Sequence, residues 1–165
     1  MLAFSVPKKE IKYYDSDTVS VIANLCRRDR TFVLPDANLD KKEFNGDRVI
    51  RYLLHEIKQE KPYFEPEIMR DHLQSVICVK PKLENPRIIR QDGAFFLFGI
   101  DGNKLINASI PKNYISSSGS SRIIVIAKEK PKIRQQLEAL GISKGSVFPE
   151  IEKVAEFIKA TYATK

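Results

Sequence analysis

The chain has 165 residues, with 42% hydrophobic and 30% charged, enough to bury a core within one domain. That balance excludes collagenous, low-complexity and disordered acidic sequences. Apolar runs such as Ala94 to Phe98 and Ile123 to Ala127 fall far short of the roughly twenty residues of a membrane helix. Lys and Arg number 28 against 21 Asp and Glu, a formal net charge of +7, which favours anionic partners: nucleic acid, nucleotide phosphates or acidic protein surfaces.

The first residues, Met-Leu-Ala-Phe-Ser-Val-Pro-Lys-Lys, lack the basic lead and cleavage-like ending of a signal peptide, so a cytoplasmic protein is expected. Cys26 and Cys78 are then read as reduced, buried thiols, with no disulfide framework.

Asp15-Ser16-Asp17 is placed to cap a first helix carrying Val21, Ile22, Leu25 and Cys26 on one face. Asp40 and Glu43 have capping-box spacing, and Leu39 and Phe44 stand where a hydrophobic staple would form. Asn45-Gly46 breaks or restarts that helix. Val49, Ile50, Leu53, Leu54 and Ile57 then form the strongest amphipathic stripe of the chain, bounded by Pro62. Pro66 suits the first turn of a short helix ending near His72.

Short β-prone runs follow: Val76 to Val79, Ile88 to Gln91 and Ala94 to Ile100. Asp92-Gly93 reads as a tight bend between strands, with Gly93 in a conformation costly for other residues. Asp101-Gly102-Asn103 supplies turn chemistry, and Lys104 to Ile110 alternates Leu105, Asn107 and Ser109 against Ile106, Ala108 and Ile110, a hairpin signal. Ser116 to Ser121 reads as a serine-rich loop and Arg122 to Ala127 as a buried strand. Pro131 opens a helix with Ile133, Leu137 and Leu140 inward, ended by Gly141. Pro149 opens the last one, with Ile151, Val154, Ala155, Ile158 and Tyr162 at helical spacing. The expected fold is α+β: one domain over 1–165, with a mostly antiparallel central sheet flanked by N- and C-terminal helices.

The basic residues cluster as Arg27, Arg28 and Arg30; as Lys80, Lys82, Arg87 and Arg90; and as Lys128, Lys130, Lys132 and Arg134. Solvated loops and helix starts account for such clusters. A phosphate-binding face requires them to converge in space. His55 and His72 are too far apart for a local metal motif, and no metal or cofactor follows from the sequence. P-loop, Gly-x-Ser-x-Gly and Gly-x-Gly-x-x-Gly patterns are absent.

The run Asn85-Pro86-Arg87-Ile88-Ile89-Arg90-Gln91-Asp92-Gly93-Ala94-Phe95 resembles the C-terminal half of the FRG domain family. Further stretches fit in the same order: Asp15 to Leu25, Gln59 to Phe64, Val79 to Lys82, Leu140 to Ile142 and Val147 to Glu152. The family's Phe-Arg-Gly and Gln-His-x-Gly-x-Pro-Thr-Arg runs do not occur here. The chain therefore reads as a bacterial or phage-like domain segment without its N-terminal half, inactive by itself, which pairs with that half or self-associates through the Ala94 strand and the Ile158–Tyr162 helix. The resemblance implies a segment of uncharacterised activity, part of a nucleotide-binding, ADP-ribosyltransferase-like domain whose own motif arginine lies in the missing part. Where the intact domain binds a nucleotide-like ligand, Arg87 and Arg90 are expected to grip phosphate and the Gln91 amide to orient a base or an amide. The alternative is a non-enzymatic basic module that binds nucleic acid or an acidic protein through Lys80, Lys82, Lys128, Lys130, Lys132 and Arg134.

Overall fold

Residues 3–115 and 123–163 are described in the computed structural model. They divide into a larger unit, Ser5–Lys80 with Phe95–Ile115, and a smaller one, Met1–Phe4, Pro81–Ala94 and Ser116–Lys165. The serine-rich loop expected at Ser116 to Ser121 lies outside the described residues, as does Arg122.

In the larger unit, Ile11–Tyr13 (β1) leads into Asp17–Arg27 (α1), Lys41–Gly46 (α2), Arg48–Glu60 (α3) and Arg70–Leu73 (α4) before Val76–Lys80 (β2). β1 and β2 pair in parallel, with Ile11 opposite Cys78, a direction that requires a crossover such as these helices supply. Phe95–Phe98 (β3) adds to the other side of β2, antiparallel, with Val76 opposite Phe98. The α+β class is thus present, but the sheet is small and mixed rather than mostly antiparallel. The parallel partner is a three-residue strand, too short to carry an alternating pattern in sequence.

Helix α1 is buried on two sides. Val19 and Ile22 pack with Ile77 and Val79 of β2, and Leu97 of β3 lies against them. Val21 and Leu25 belong to the main core with Ile50, Leu53, Ile57, Phe44 and Leu73. That core bears out the α3 stripe in Ile50, Leu53 and Ile57, with Leu54 packed against it. Val49 departs from it and is exposed. Cys26 is likewise exposed, on the side of α1 left uncovered, and Cys78 is buried; both thiols are free. The 0% exposure of Leu25, Ile50, Leu53 and Ile57 places the main burial energy here, at about 1.5–3 kcal/mol per large side chain.

The capping box forms as its spacing predicts: Asp40 accepts from Glu43 N, and Asp40 N donates to the Glu43 carboxylate. Asp47 ends α2 and caps α3, accepting from Val49 N at 2.8 Å. Asn45 holds the following loop in place, accepting from Ile68 N at 2.7 Å while its amide donates to Ile68 O. Pro66 does not open a helix; α4 starts only at Arg70.

The expected hairpin is present as Ile100–Asp101 (β4) and Asn103–Asn107 (β5), turned by Gly102 at φ +74°. Its first strand is shorter than predicted because the chain kinks at Gly99. There Gly99 N donates to Ser75 O, and a Cβ would stand 2.1 Å from Leu73 O. β5 buries neither face, with Leu105 and Ile106 both exposed. Beyond it, Ala108 and Tyr114 are buried.

In the smaller unit, Pro86–Arg90 (α5), Lys130–Ala139 (α6), Lys144–Val147 (α7) and Ile151–Tyr162 (α8) are helices without a single buried residue. Ile88 to Gln91 is helix and its cap, not strand. Asn85 caps it, accepting from Arg87 N at 2.9 Å, and Pro86 fills the first turn. The helix closes with Gly93 N donating to Ile88 O and Asp92 N to Ile89 O, a Schellman motif. Asp92, at φ 46°, holds the left-handed position assigned to Gly93. Gly141, at φ +77°, does end α6, through the same pair of bonds from Ile142 and Gly141 to Leu137 and Glu138. The buried strand expected before α6 is absent. Positions 123–126 carry no regular structure and are exposed. Ile133, Leu137 and Leu140 are not buried either, with Leu140 at 76% exposure.

Candidate functional site

The residues expected to grip a ligand are in place on α5, and two of them are engaged within the smaller unit. The Arg87 guanidinium lies 4.9 Å over the Phe148 ring and 3.7 Å from the Glu150 carboxylate. The Gln91 amide donates to Val147 O at 3.3 Å. Together they hold α5 to the α7–α8 connection. Arg90 is exposed in the last turn of α5, where the helix dipole disfavours an anion.

The residues of the alternative patch are divided. Lys80 ends β2 in the larger unit. Lys82 pairs with Glu84 in the smaller. Lys128, Lys130, Lys132 and Arg134 are all exposed around the first turns of α6. Among the described residues no group of His, Cys, Asp and Glu is arranged to hold a metal ion, and no helix is long and apolar enough to cross a membrane.

A different constellation stands in the larger unit. Arg48, Arg51, Tyr52 and His55 follow one another at helical spacing along the exposed face of α3. Beside them a cleft of about 440 Å³ is lined by Arg28, Asp29, Thr31, Phe32, Val33, Arg48, Val49 and Tyr52, a volume within the range of small-ligand sites. A second hollow continues along α3 past Arg51 and His55, sharing Arg48 and Tyr52 with the first.

The lining of the cleft combines apolar, aromatic and charged side chains. Val33 and Tyr52, each 57% exposed, and Val49 present open apolar surface. Arg28 caps α1, bonds the Glu56 carboxylate and lies 5.0 Å over the Tyr52 ring. It is therefore a fixed wall. Arg48 and Arg51 have no acidic partner among the described residues and project from the first turn of α3. Asp29, also in the lining, accepts from Thr31 N and from the Thr31 hydroxyl. That hydroxyl bond, then the backbone bond, holds the Asp29 carboxyl below its usual range, so it is ionised at neutral pH.

The lining offers a carboxylate acceptor, exposed apolar surface and the Arg48 guanidinium, with that of Arg51 in the adjoining hollow. Arg48, Arg51 and Tyr52 lie outside the charge clusters of the sequence, where the apolar stripe dominates the pattern of α3. Their signal is the spacing Arg48-x-x-Arg51-Tyr52-x-x-His55 on the opposite face.

No family model, curated protein or solved structure matches the chain.

Proposed function

We propose that the larger unit is a binding module for nucleotide units, used on single-stranded nucleic acid. The observation that carries this reading is the row of Arg48, Arg51 and Tyr52 on the exposed face of α3. Arg48 and Tyr52 line the cleft and share the adjoining hollow with Arg51, neither arginine having an acidic partner among the described residues. A base stacks on an aromatic or apolar surface, and phosphates meet free guanidinium groups. Asp29 in the same lining suits a hydroxyl or amino donor, which a bare phosphate lacks. The net charge of +7 supplies the long-range attraction.

The FRG-like expectation meets this reading at the ligand, since both point to nucleotide chemistry. It differs in the residues, because Arg87 and Gln91 serve contacts inside the smaller unit. The basic-module alternative meets it in the partner, with the cleft in place of the α6 lysines.

Fluorescence anisotropy with a labelled single-stranded oligonucleotide, titrated at several salt concentrations, tests the proposal. Arg48→Ala/Arg51→Ala is expected to weaken binding by about tenfold or more and to flatten the salt slope by about 0.7 for each phosphate no longer neutralised. Tyr52→Ala is expected to lose about 1–3 kcal/mol of affinity with little change in slope. Lys130→Ala/Arg134→Ala should have the smaller effect. Competition by a free mononucleotide with an affinity equal to the strand's would assign the cleft to the small ligand. Wild-type protein that binds neither, or arginine variants that bind as wild type, would overturn the reading.

A further inference from the structure

Helix α8 is apolar on two sides, and among the described residues only one of them has a neighbour. Val154 and Phe157 are half-buried, and a Cβ on Gly145 of α7 would stand 3.0 Å from the Phe157 ring. Phe157, Ala160 and Thr161 line a groove with Leu137 of α6 and Val147 of α7. That face is the inner one.

The outer face carries Ile151, Ala155, Ile158 and Tyr162. At 100° per residue these four fall within a band about 60° wide. Ile151 is 85% exposed, Ile158 50% and Tyr162 68%. A seam repeating every three to four residues is the pattern of helix–helix pairing. A helix that needed only its inner face would not need this one.

We propose that this outer stripe is a self-association surface, on which the α8 helices of two copies of the chain pair antiparallel about a two-fold axis. The flanking charges argue for the occupant and the direction. Lys153 and Lys144 both bond Glu156, so those three are satisfied within the unit. Glu152 and Lys159 have no ion pair among the described residues and stand together on one flank of the stripe. A two-fold axis across antiparallel helices brings like flanks together. Glu152 of each copy then meets Lys159 of the other, offset by about 3 Å along the axis, and the pair forms twice. Parallel pairing sets that flank against Val154 and Thr161 and forms neither. The same antiparallel register places Ile151 opposite Tyr162 and Ala155 opposite Ile158, large against small at the centre. The seam is short, about 18 Å, so the dimer is weak and depends on concentration.

Sedimentation velocity of the full chain from micromolar to millimolar concentration tests this, with circular dichroism melting to confirm that each variant folds. Wild type is expected to shift from monomer to dimer, and Ile158→Asp to remain monomeric throughout. Glu152→Lys is expected to raise the dimer dissociation constant about fivefold. Glu152→Lys/Lys159→Glu restores the pairing. A wild-type chain that is monomeric over the whole range would overturn the proposal. So would an Ile158→Asp variant that dimerises like wild type, or a charge exchange that leaves association as weak as the single variant does.

Discussion

The two units hold themselves together by different means. In the larger one, α1 is enclosed by the sheet on one side and by α3 and α4 on the other, and side chains from four helices and a strand reach zero or near-zero exposure. In the smaller one, none of the four helices buries a residue completely. Its order comes from local devices: the Asn85 and Ser143 caps, two Schellman closures, and the Arg87 contacts with Phe148 and Glu150. Each such device contributes on the order of 0.5–2 kcal/mol, whereas buried side chains add up over a whole core. Amphipathic spacing is similar in both units, so spacing alone does not decide burial. An apolar stripe becomes core only where a second layer covers it.

The sharpest break in that contrast is Gly99→Ala. A Cβ there meets Leu73 O at 2.1 Å and Ser75 O at 2.8 Å, backbone atoms that cannot swing aside. The variant is expected to lose more than about 4 kcal/mol, read as loss of the cooperative transition in a denaturant titration.

Next, Leu53→Ala in the larger core is expected to cost about 2–5 kcal/mol. Leu137→Ala, at 37% exposure in the smaller unit, should cost less than about 1.5 kcal/mol. Similar costs in parallel chemical denaturation curves would show that the two units are equally packed.

Alkaline pH offers a finer probe of the larger unit. Burial, then the hydrogen bond and charge of Glu10, pushes the Tyr114 hydroxyl up to about 12, against about 10 in an unfolded chain. A raised folded value means the unfolded state releases this proton first. Its stabilising contribution is complete below about pH 10 and lost as pH rises towards 12. Tyr114→Phe is expected to flatten that part of the stability–pH curve, measured by urea midpoints across the window.

The smallest expected effect is a gain. Asp92 holds a left-handed conformation at the end of α5, which glycine adopts without strain. Asp92→Gly is expected to stabilise the smaller unit by up to about 1 kcal/mol, visible as a higher melting temperature. A lower one would show that the Asp92 side chain contributes more than its backbone costs.

The outcome along the chain follows the range of the interaction that decides each feature. The Asp40–Glu43 capping box, the α3 stripe and the Gly141 stop are legible because residues three to five apart determine them. Strand β1 is not, because its three residues become a strand only by pairing with β2, far along the chain. The isoleucines of Ile88 to Gln91 suggest a strand, whereas the Asn85 cap and Pro86 favour a helix. The run at 123–126 has the composition of a core strand and, among the described residues, no partner strand to make it one. The candidate site divides in the same way. The Lys-rich start of α6 is a sequence feature, but the cleft beside α3 exists only because Arg28, Phe32 and Val33 are brought to Arg48 and Tyr52 by packing between α1 and α3.

Hydrogen exchange on the full chain, with and without a single-stranded oligonucleotide, locates the bound strand on one unit or the other. Strong intrinsic protection is expected in α1, α3 and β2, weak protection in α6 and α8, and added protection on binding at 28–33 and 48–55. Added protection confined to 128–134 around the start of α6, or none at 48–55 when the protein is saturated with the strand, would contradict that expectation.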